Sequence, residues 1–227
     1  EFSKESKLQI IEEYAFIDTS IESITIPSKV TDLREGWCGG TPKLTKIKIS
    51  SSNPCYCCHE EGIVIGKTSI EKSNYDCLVF CVRNIKNITI PNFIKHICSC
   101  SFNLSLIESI TIPSEVTFIG KKAFSNCKQL RHIEFSKDSK LQTIEEGAFS
   151  ETSIESITIP SKVTFIGKYA FYYCQKLRHI KFTNESKLQS IEEHVFNDTR
   201  IESIKIPSEV TFIGEYAFYF STKLQYI

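Results

Sequence analysis

Internal repetition constrains this chain more than any other feature of its sequence. Laid against itself, the sequence aligns Ile110, Ile157 and Ile204 at a period of 47 residues, and each period contains two related units of 23 and 24 residues. A fixed period of about 20–50 residues is typical of a solenoid, whose units bury their apolar faces only against their neighbours. We therefore predict a single repeat domain over residues 1–227.

Two types of unit alternate through most of the chain. One reads I-E-S-I-T-I-P-S followed by V-T-F-I-G, and the other reads L-R-H-I-x-F followed by S-K-L-Q-x-I-E-E. The first nine residues match residues 134–142, and the last four begin another unit, so we expect a piece of a longer array whose uncapped ends fray or associate end to end. The units begin at Ile21, Leu44, Ile85, Ile107, Leu130, Ile154, Leu177, Ile201 and Leu224.

One unit already predicts its local structure. Residues 154–159, I-E-S-I-T-I, combine β-branched residues with inward apolar positions, which favours a strand that Pro160 ends. Residues 163–167 predict a second short strand or extended turn, with the glycine permitting the turn. Residues 170–174, A-F-Y-Y-C, predict one helical turn that presents Phe171 to the interior.

Stacked units place equivalent residues on one another and predict a buried phenylalanine spine. Periodic apolar positions of this kind are typical of a core rather than of a ligand site. Cys127 and Cys174 follow the spine by three residues and are interpreted as small buried thiols. The spine comprises Phe16, Phe102, Phe124, Phe149, Phe171, Phe196 and Phe218, with Cys38 in the same slot where the pattern weakens.

Outward positions of the first strand predict a polar wall on the concave face, which is the first candidate binding surface. Acids and arginines alternate on neighbouring strands of this wall, as in Glu155 and Arg178, and such pairs stabilise a sheet by about 0.2–1 kcal/mol each. The candidate residues are Ser109, Thr111, Arg131, His132, Glu134, Glu155, Ser156, Thr158, Arg178, His179, Lys181, Ser203 and Lys205.

The wall contains two histidines that invite a catalytic or metal-binding interpretation. His132 and His179 are two units apart, or roughly 10 Å at the usual strand spacing, which is too far for a shared metal without further ligands. Duplication of the repeat explains their recurrence, and we expect no catalytic role.

An aromatic ridge along the flank is the second candidate surface. The alternate units carry Thr143 and Ser190 at the middle of the second strand, so the fold tolerates small polar residues where other units carry phenylalanine. Exposed rings often anchor interfaces, although packing over the edge of the turn is an equal alternative. The ridge comprises Phe118, Phe165, Phe212, Tyr172 and Tyr219.

The repeat breaks at residues 53–84, where eight of the ten cysteines lie nearby, between Cys38 and Cys100. Two apolar runs, 63–65 and 78–82, flank a polar stretch and predict an inserted β-hairpin. The segment contains zinc-ligand residue types but no paired C-x-x-C motifs at the usual spacing, so we expect no metal and no cofactor. The possible ligands are Cys55, Cys57, Cys58, His59, Cys77 and Cys81.

Disulfides remain open for these cysteines, because a secreted protein would favour them and a cytosolic one would keep free thiols. In the secretory case, four N-x-S/T sequons would be glycosylation candidates, at Asn87, Asn103, Asn184 and Asn197.

Composition excludes several classes of function. Lys and Arg total 27 and Asp and Glu total 27, so no net field favours nucleic acid or an acidic membrane. The apolar runs are far shorter than the roughly 20 residues of a transmembrane helix. Nucleophile-elbow, phosphate-loop and paired-carboxylate motifs do not occur, so we expect a non-enzymatic protein.

The pattern I-T-I-P-S-x-V-T-F-I-G-x-x-A-F-x-x-C, at residues 110–127 and 157–174, resembles the BspA-like (Treponema-type) leucine-rich repeats. The break resembles that family's hairpin insertion, while residues 33–40 and 97–102 depart from its pattern. The resemblance implies a leucine-rich repeat solenoid, a curved right-handed coil with β-strands on its concave face, short strands and helical turns elsewhere, and one hairpin-like insertion.

The same resemblance implies a cell-surface or secreted protein that binds host cells or extracellular matrix. We therefore expect an adhesion module that presents its surface to a protein or glycan partner, without nucleic acid or membrane insertion. The alternative is a structural array that self-associates through its repeat ends or flank and has no specific ligand.

Overall fold

The computed structural model describes residues 2–3, 5–60 and 62–227, and within them the regular elements are seventeen strands and no helix. Six four-residue strands follow the first segment of the repeats: β2 (Ser23–Ile26), β4 (Lys46–Ile49), β9 (Ser109–Ile112), β11 (His132–Phe135), β13 (Ser156–Ile159) and β15 (His179–Phe182). Eight two-residue strands follow the second segment: β1 (Ile10–Ile11), β3 (Asp32–Leu33), β8 (His96–Ile97), β10 (Phe118–Ile119), β12 (Thr143–Ile144), β14 (Phe165–Ile166), β16 (Ser190–Ile191) and β17 (Phe212–Ile213). Three strands lie in the insertion: β5 (Tyr56–His59), β6 (Ile63–Gly66) and β7 (Cys77–Cys81).

Parallel pairing between successive units makes the chain a β-solenoid of about nine turns. The four-residue strands pair in register two by two, β2 with β4, β9 with β11 and β13 with β15, and Ile110 of β9 lies beside Ile133 of β11. The short strands β8, β10, β12 and β14 form a second parallel ladder. Each unit therefore contributes one rung to two separate walls, and the predicted second short strand is confirmed.

The predicted helical turn at residues 170–174 is wrong, because the segment forms a ladder of tight turns. The amides of Tyr169, Phe171 and Tyr173 donate to carbonyl oxygens of the next coil, at 3.1, 3.0 and 2.9 Å. The intervening amides donate locally to the third residue before them. Tyr169 and Tyr173 have positive φ angles of 60° and 56°, and this left-handed conformation interrupts a helix.

Gly167 serves close packing between coils rather than the turn that the sequence predicts. Its φ lies outside the positive region, and a Cβ placed on it would lie 2.6 Å from the amide nitrogen of Glu146 in the preceding coil. Gly120 and Gly214 meet the preceding coil at the same 2.6 Å distance. Any side chain at these positions would push two backbones apart.

The phenylalanine spine is confirmed from Phe102 to Phe218. Successive rings stack nearly parallel, with centroids 4.8 to 5.6 Å apart. At the N-terminal end, the Phe16 amide donates to the Trp37 carbonyl, which places the buried Cys38 in the spine slot as predicted. Trp37 supplies the ring there and meets Phe16 edge to face at 6.2 Å.

The predicted hairpin in the insertion is confirmed and has a third strand. Strands β6 and β7 pair antiparallel, and β5 adds to the other side of β6. Strand β7 then pairs parallel with β8, which belongs to the next regular coil. The insertion therefore continues the ladder of short strands instead of projecting from it.

Candidate functional site

The polar wall is the largest set of predicted site residues, and its side chains face solvent. All thirteen candidates are exposed, while the isoleucines between them, such as Ile157 and Ile180, are buried. Among the described residues, none of the thirteen side chains forms a hydrogen bond or ion pair with the rest of the chain. The wall therefore displays charged and hydrogen-bonding groups that the fold itself does not use.

The predicted ladder of charge pairs on this wall does not form. The backbones adjoin, since the Arg178 amide donates to the Glu155 carbonyl at 2.9 Å, yet their side chains make no ion pair within the described residues. Of the wall positions, Lys86 and Glu108 do pair, at 3.6 Å. Exposed ion pairs gain at most about 1 kcal/mol and cost side-chain entropy, so adjacency alone does not hold two long side chains together.

The two wall histidines are not brought together. His132 lies on β11 and His179 on β15, with the coil of β13 between them. In the described part of the chain, no three His, Cys, Asp or Glu residues are arranged to hold a metal ion.

Two adjoining grooves run along the loop end of the wall. The larger has a volume of about 1030 Å³ and includes Lys181 and Lys205, and the smaller has about 550 Å³ and includes Glu134 and Thr158. Thr183 and Asn184 line both grooves and join them. The structure thus gathers part of the predicted wall into one elongated depression.

The predicted aromatic ridge divides into two separate surfaces. Phe165 and Phe212 are 38% and 54% exposed and Phe118 is half-buried, but Thr143 lies between Phe118 and Phe165 in the ladder. Tyr172 and Tyr219 belong to a different group of rings. No ring contact joins the two sets among the described residues.

A tyrosine patch of seven rings covers the turns of the last three coils. Tyr169, His194 and Tyr216 stack in a row with centroids 4.7 and 5.0 Å apart. Sequence reasoning missed this row because its members differ in type, although they occupy equivalent positions two residues before the spine. The patch comprises Tyr169, Tyr172, Tyr173, His194, Tyr216, Tyr219 and Phe220.

Inside the coils, a polar column runs beside the spine and uses the buried thiols as hydrogen-bond donors. The Phe149 carbonyl accepts from the Thr152 hydroxyl at 2.9 Å and from the Cys174 thiol at 3.1 Å. Cys127 donates to the Phe102 carbonyl in the same way, at 3.0 Å. Burial raises the pKa of Cys127 and of Cys174 to about 11, so both stay protonated and the prediction of buried thiols is confirmed.

Arg83, which gave no signal in the sequence, fills this column where the insertion interrupts the coils. Its guanidinium is 1% exposed and donates to four backbone carbonyls instead of to a carboxylate. It also lies over the Phe80 ring at 4.4 Å, and burial lowers its pKa. The four acceptors are the carbonyl oxygens of Cys38, Cys81, Cys100 and Ser101.

The cysteines and sequons differ in accessibility. All ten cysteines are free thiols in this structure, and Cys58 is exposed. Asn103 and Asn197 are buried and hydrogen-bonded, whereas Asn87 and Asn184 are exposed. Of the four sequons, those at Asn87 and Asn184 are therefore accessible.

Stacked units with inward-pointing isoleucine and leucine, short parallel strands and a phenylalanine spine define a leucine-rich repeat solenoid. The chain belongs to the BspA-type leucine-rich repeat family, whose model matches six copies over residues 1–108 and 96–225.

Solved structures of bacterial leucine-rich proteins share the fold. A leucine-rich cell surface protein from Faecalibacterium prausnitzii is 28% identical, with a TM-score of 0.73 over 97% of this chain and 51% of its own. A leucine-rich repeat protein from Eubacterium ventriosum is 23% identical, with a TM-score of 0.67 over 96% of this chain and 64% of its own. The pneumococcal vaccine antigen PcpA is 24% identical, with a TM-score of 0.64 over 74% of this chain and 48% of its own.

The chain thus spans between about half and two thirds of the length of these structures. No curated protein matches it by sequence. The described residues contain no helix with the length and hydrophobicity needed to cross a membrane.

Proposed function

We propose that the chain is a binding module of a surface or secreted protein, and that its polar wall engages a protein or glycan partner. The observation that carries the proposal is the set of thirteen exposed polar side chains that have no hydrogen-bond or ion-pair partner in the part of the chain that the structure describes. These side chains project from paired strands whose backbones are already ordered, so binding costs only the ordering of the side chains. The description of the F. prausnitzii relative as a cell surface protein supports the proposed location.

The repeat itself provides a conservative test of the wall. Ser109 and Thr111 occupy the positions that His132 and Glu134 hold in the next coil, so the fold accepts either pair. The variant H132S/E134T/H179S/K181T gives four successive coils serine and threonine at these two wall positions while leaving the core unchanged. We expect its melting temperature to match the parent chain and its binding in a matrix-protein and glycan array to fall at least tenfold.

Retention of every array signal by this folded variant would contradict the proposal. A loss of signal together with a lowered melting temperature would instead show that the wall residues serve the fold. Purified parent chain from the same preparation, at equal concentration, is the reference for both measurements.

The tyrosine patch favours a second function, self-association. Tyr216, Tyr219 and Phe220 are 54%, 50% and 61% exposed, and contiguous exposed rings are more typical of an interface than scattered ones are. The variant Y173N/Y219S/F220N replaces exposed rings with the residues that an earlier coil carries at these turn positions, Asn126 and Ser125. If the patch associates, light scattering should show a concentration-dependent assembly for the parent chain and a monomer for this variant.

A further inference from the structure

Two lysines at equivalent positions of adjacent coils lie on the polar wall. A single bridge joins His179 to Ser203, and Lys181 and Lys205 each follow two residues after a bridged residue. Neither lysine forms an ion pair with any described residue, and both are exposed. Two ammonium groups at equivalent positions of adjacent coils are a local excess of positive charge that an external anion would offset.

This pairing is specific to one place in the repeat. The same strand position carries Thr111, Glu134 and Thr158 in the preceding coils, so the repeat does not require lysine there. Both lysines line the larger groove. The basic pair and the groove therefore coincide.

The rest of the groove offers hydrogen-bonding groups and apolar surface side by side. Hydroxyl and amide side chains suit the hydroxyl groups of a sugar, and the apolar residues suit its C–H faces. Glu185 and Glu209 also line the groove, but neither pairs with Lys181 or Lys205. The hydrogen-bonding residues are Thr164, Thr183, Asn184, Ser186, Gln189 and Ser208, and the apolar ones include Phe182, Ile206 and Pro207.

The shape of the site distinguishes a chain from a compact ligand. A volume of about 1030 Å³ is at the upper limit of ordinary small-molecule sites. Thr183 and Asn184 connect it to the second groove, whose lining includes Ser136, Thr158 and Ser161. An extended molecule can follow this path across several coils.

Resting on the proposed function of the wall, we infer that this groove binds a sulfated polysaccharide through Lys181 and Lys205. The sulfate groups compensate the two ammonium charges, and the sugar hydroxyls bond to the side chains along the groove. Asn184 lies within the path, so a glycan attached at its sequon would block the site.

The test uses heparin as the sulfated probe, desulfated heparin as the matched polysaccharide that keeps its carboxylates but lacks sulfate, and polyglutamate as an acidic polypeptide. The full chain is produced without glycosylation. The variant K181T/K205T restores the threonine of other coils, and K46T/K48T removes two exposed lysines of β4 that lie outside both grooves. We expect heparin to bind the parent chain and K46T/K48T equally, and K181T/K205T at least tenfold more weakly with an unchanged melting temperature.

Three outcomes would overturn the inference. Equal weakening in both variants would indicate non-specific charge attraction, and equal binding of polyglutamate would indicate an acidic protein partner. Failure of heparin to bind the parent chain would also overturn the inference. The proposed function of the wall would still stand if H132S/E134T/H179S/K181T lost binding to another partner. Binding of heparin together with no binding of desulfated heparin supports the inference, because the two probes differ only in their sulfate groups.

Discussion

The regular coils from Ile107 onward and the junction at residues 53–84 satisfy their buried carbonyls in different ways. In the regular coils, small side-chain donors serve the spine carbonyl of every second coil, as where Thr199 and Ser221 both donate to the Phe196 carbonyl. At the junction, one long cation, Arg83, donates to carbonyls of three separate segments. The carbonyls of Cys38, Cys100 and Ser101 also accept from a local hydroxyl or amide, so a single buried cation replaces the small side-chain donors and supplements the local bonds.

The replacement is costlier than the arrangement it replaces. A buried guanidinium loses its hydration, and within the described residues its Nε atom has no hydrogen-bond partner. Two further buried polar atoms without partners, Trp37 Nε1 and the Ser101 hydroxyl, belong to residues near the same junction. The regular coils contain no such atom among the described residues, so the junction is the less well satisfied region.

The largest expected loss of stability comes from a substitution in the regular coils. Phe171→Ala removes a fully buried ring between two stacked neighbours and should cost roughly 3–5 kcal/mol of unfolding free energy, because the stacked coils cannot collapse onto the cavity. Chemical denaturation should also separate into two transitions, since each coil couples only to its neighbours. Phe165→Ala is the matched control, and an equal effect of both changes would contradict the assigned spine.

The next largest expected loss of stability comes from a substitution at the junction. Arg83→Met keeps the apolar stem but removes the guanidinium's hydrogen bonds to four buried carbonyls. The carbonyls of Cys38, Cys100 and Ser101 each keep a second donor, so they are not left unsatisfied. We expect a net loss of about 1–2 kcal/mol, because the lost hydrogen bonds to a charged group are partly offset by relief of the buried charge. Arg200→Met, at an exposed arginine, should change stability by less than about 0.5 kcal/mol. Equal denaturation midpoints for the two variants would show that the buried guanidinium makes no net contribution to stability.

A pH titration sharpens the comparison within the polar column. Burial raises the pKa of Cys174 from its ordinary value of 9.0 to about 11, so the unfolded chain loses this proton first as the pH rises. Stability from this thiol is therefore complete below pH 9 and declines toward pH 11, by up to about 1.4 kcal/mol per pH unit. Cys174→Ser should remove that part of the decline, because Ser221 already fills the equivalent place without titrating.

The measured quantity is the difference in unfolding free energy between the parent chain and Cys174→Ser at each pH. A difference that stays constant from pH 8 to pH 11 would contradict the raised pKa.

The smallest effect lies outside both regions, on the wall. Glu155→Gln with Arg178→Gln should change the unfolding free energy by less than about 0.5 kcal/mol, because the side chains are exposed and do not pair. A double-mutant cycle by chemical denaturation checks the coupling. A coupling above about 1 kcal/mol would show that the two charges interact in solution.

The sequence predicts the spine and the wall because inward and outward positions recur at fixed spacing, as at Phe171 and Arg178. It predicts the turn poorly, since Tyr169 and Tyr173 adopt left-handed backbone angles that are uncommon for residues other than glycine. Arg83 lies outside the period and so gives no repeating signal. The row of Tyr169, His194 and Tyr216 exists only when coils stack.

The alternation of two unit types along the wall has a consequence for valency. Equivalent groups, such as His132 and His179, recur at every second coil, roughly 10 Å apart at the strand spacing. A ligand with its own regular repeat can engage several of them at once, and each further contact is intramolecular and therefore strengthened by a high effective concentration. Attachment strength would then scale with the number of coils, so that gaining or losing whole repeats adjusts avidity without changing a single contact.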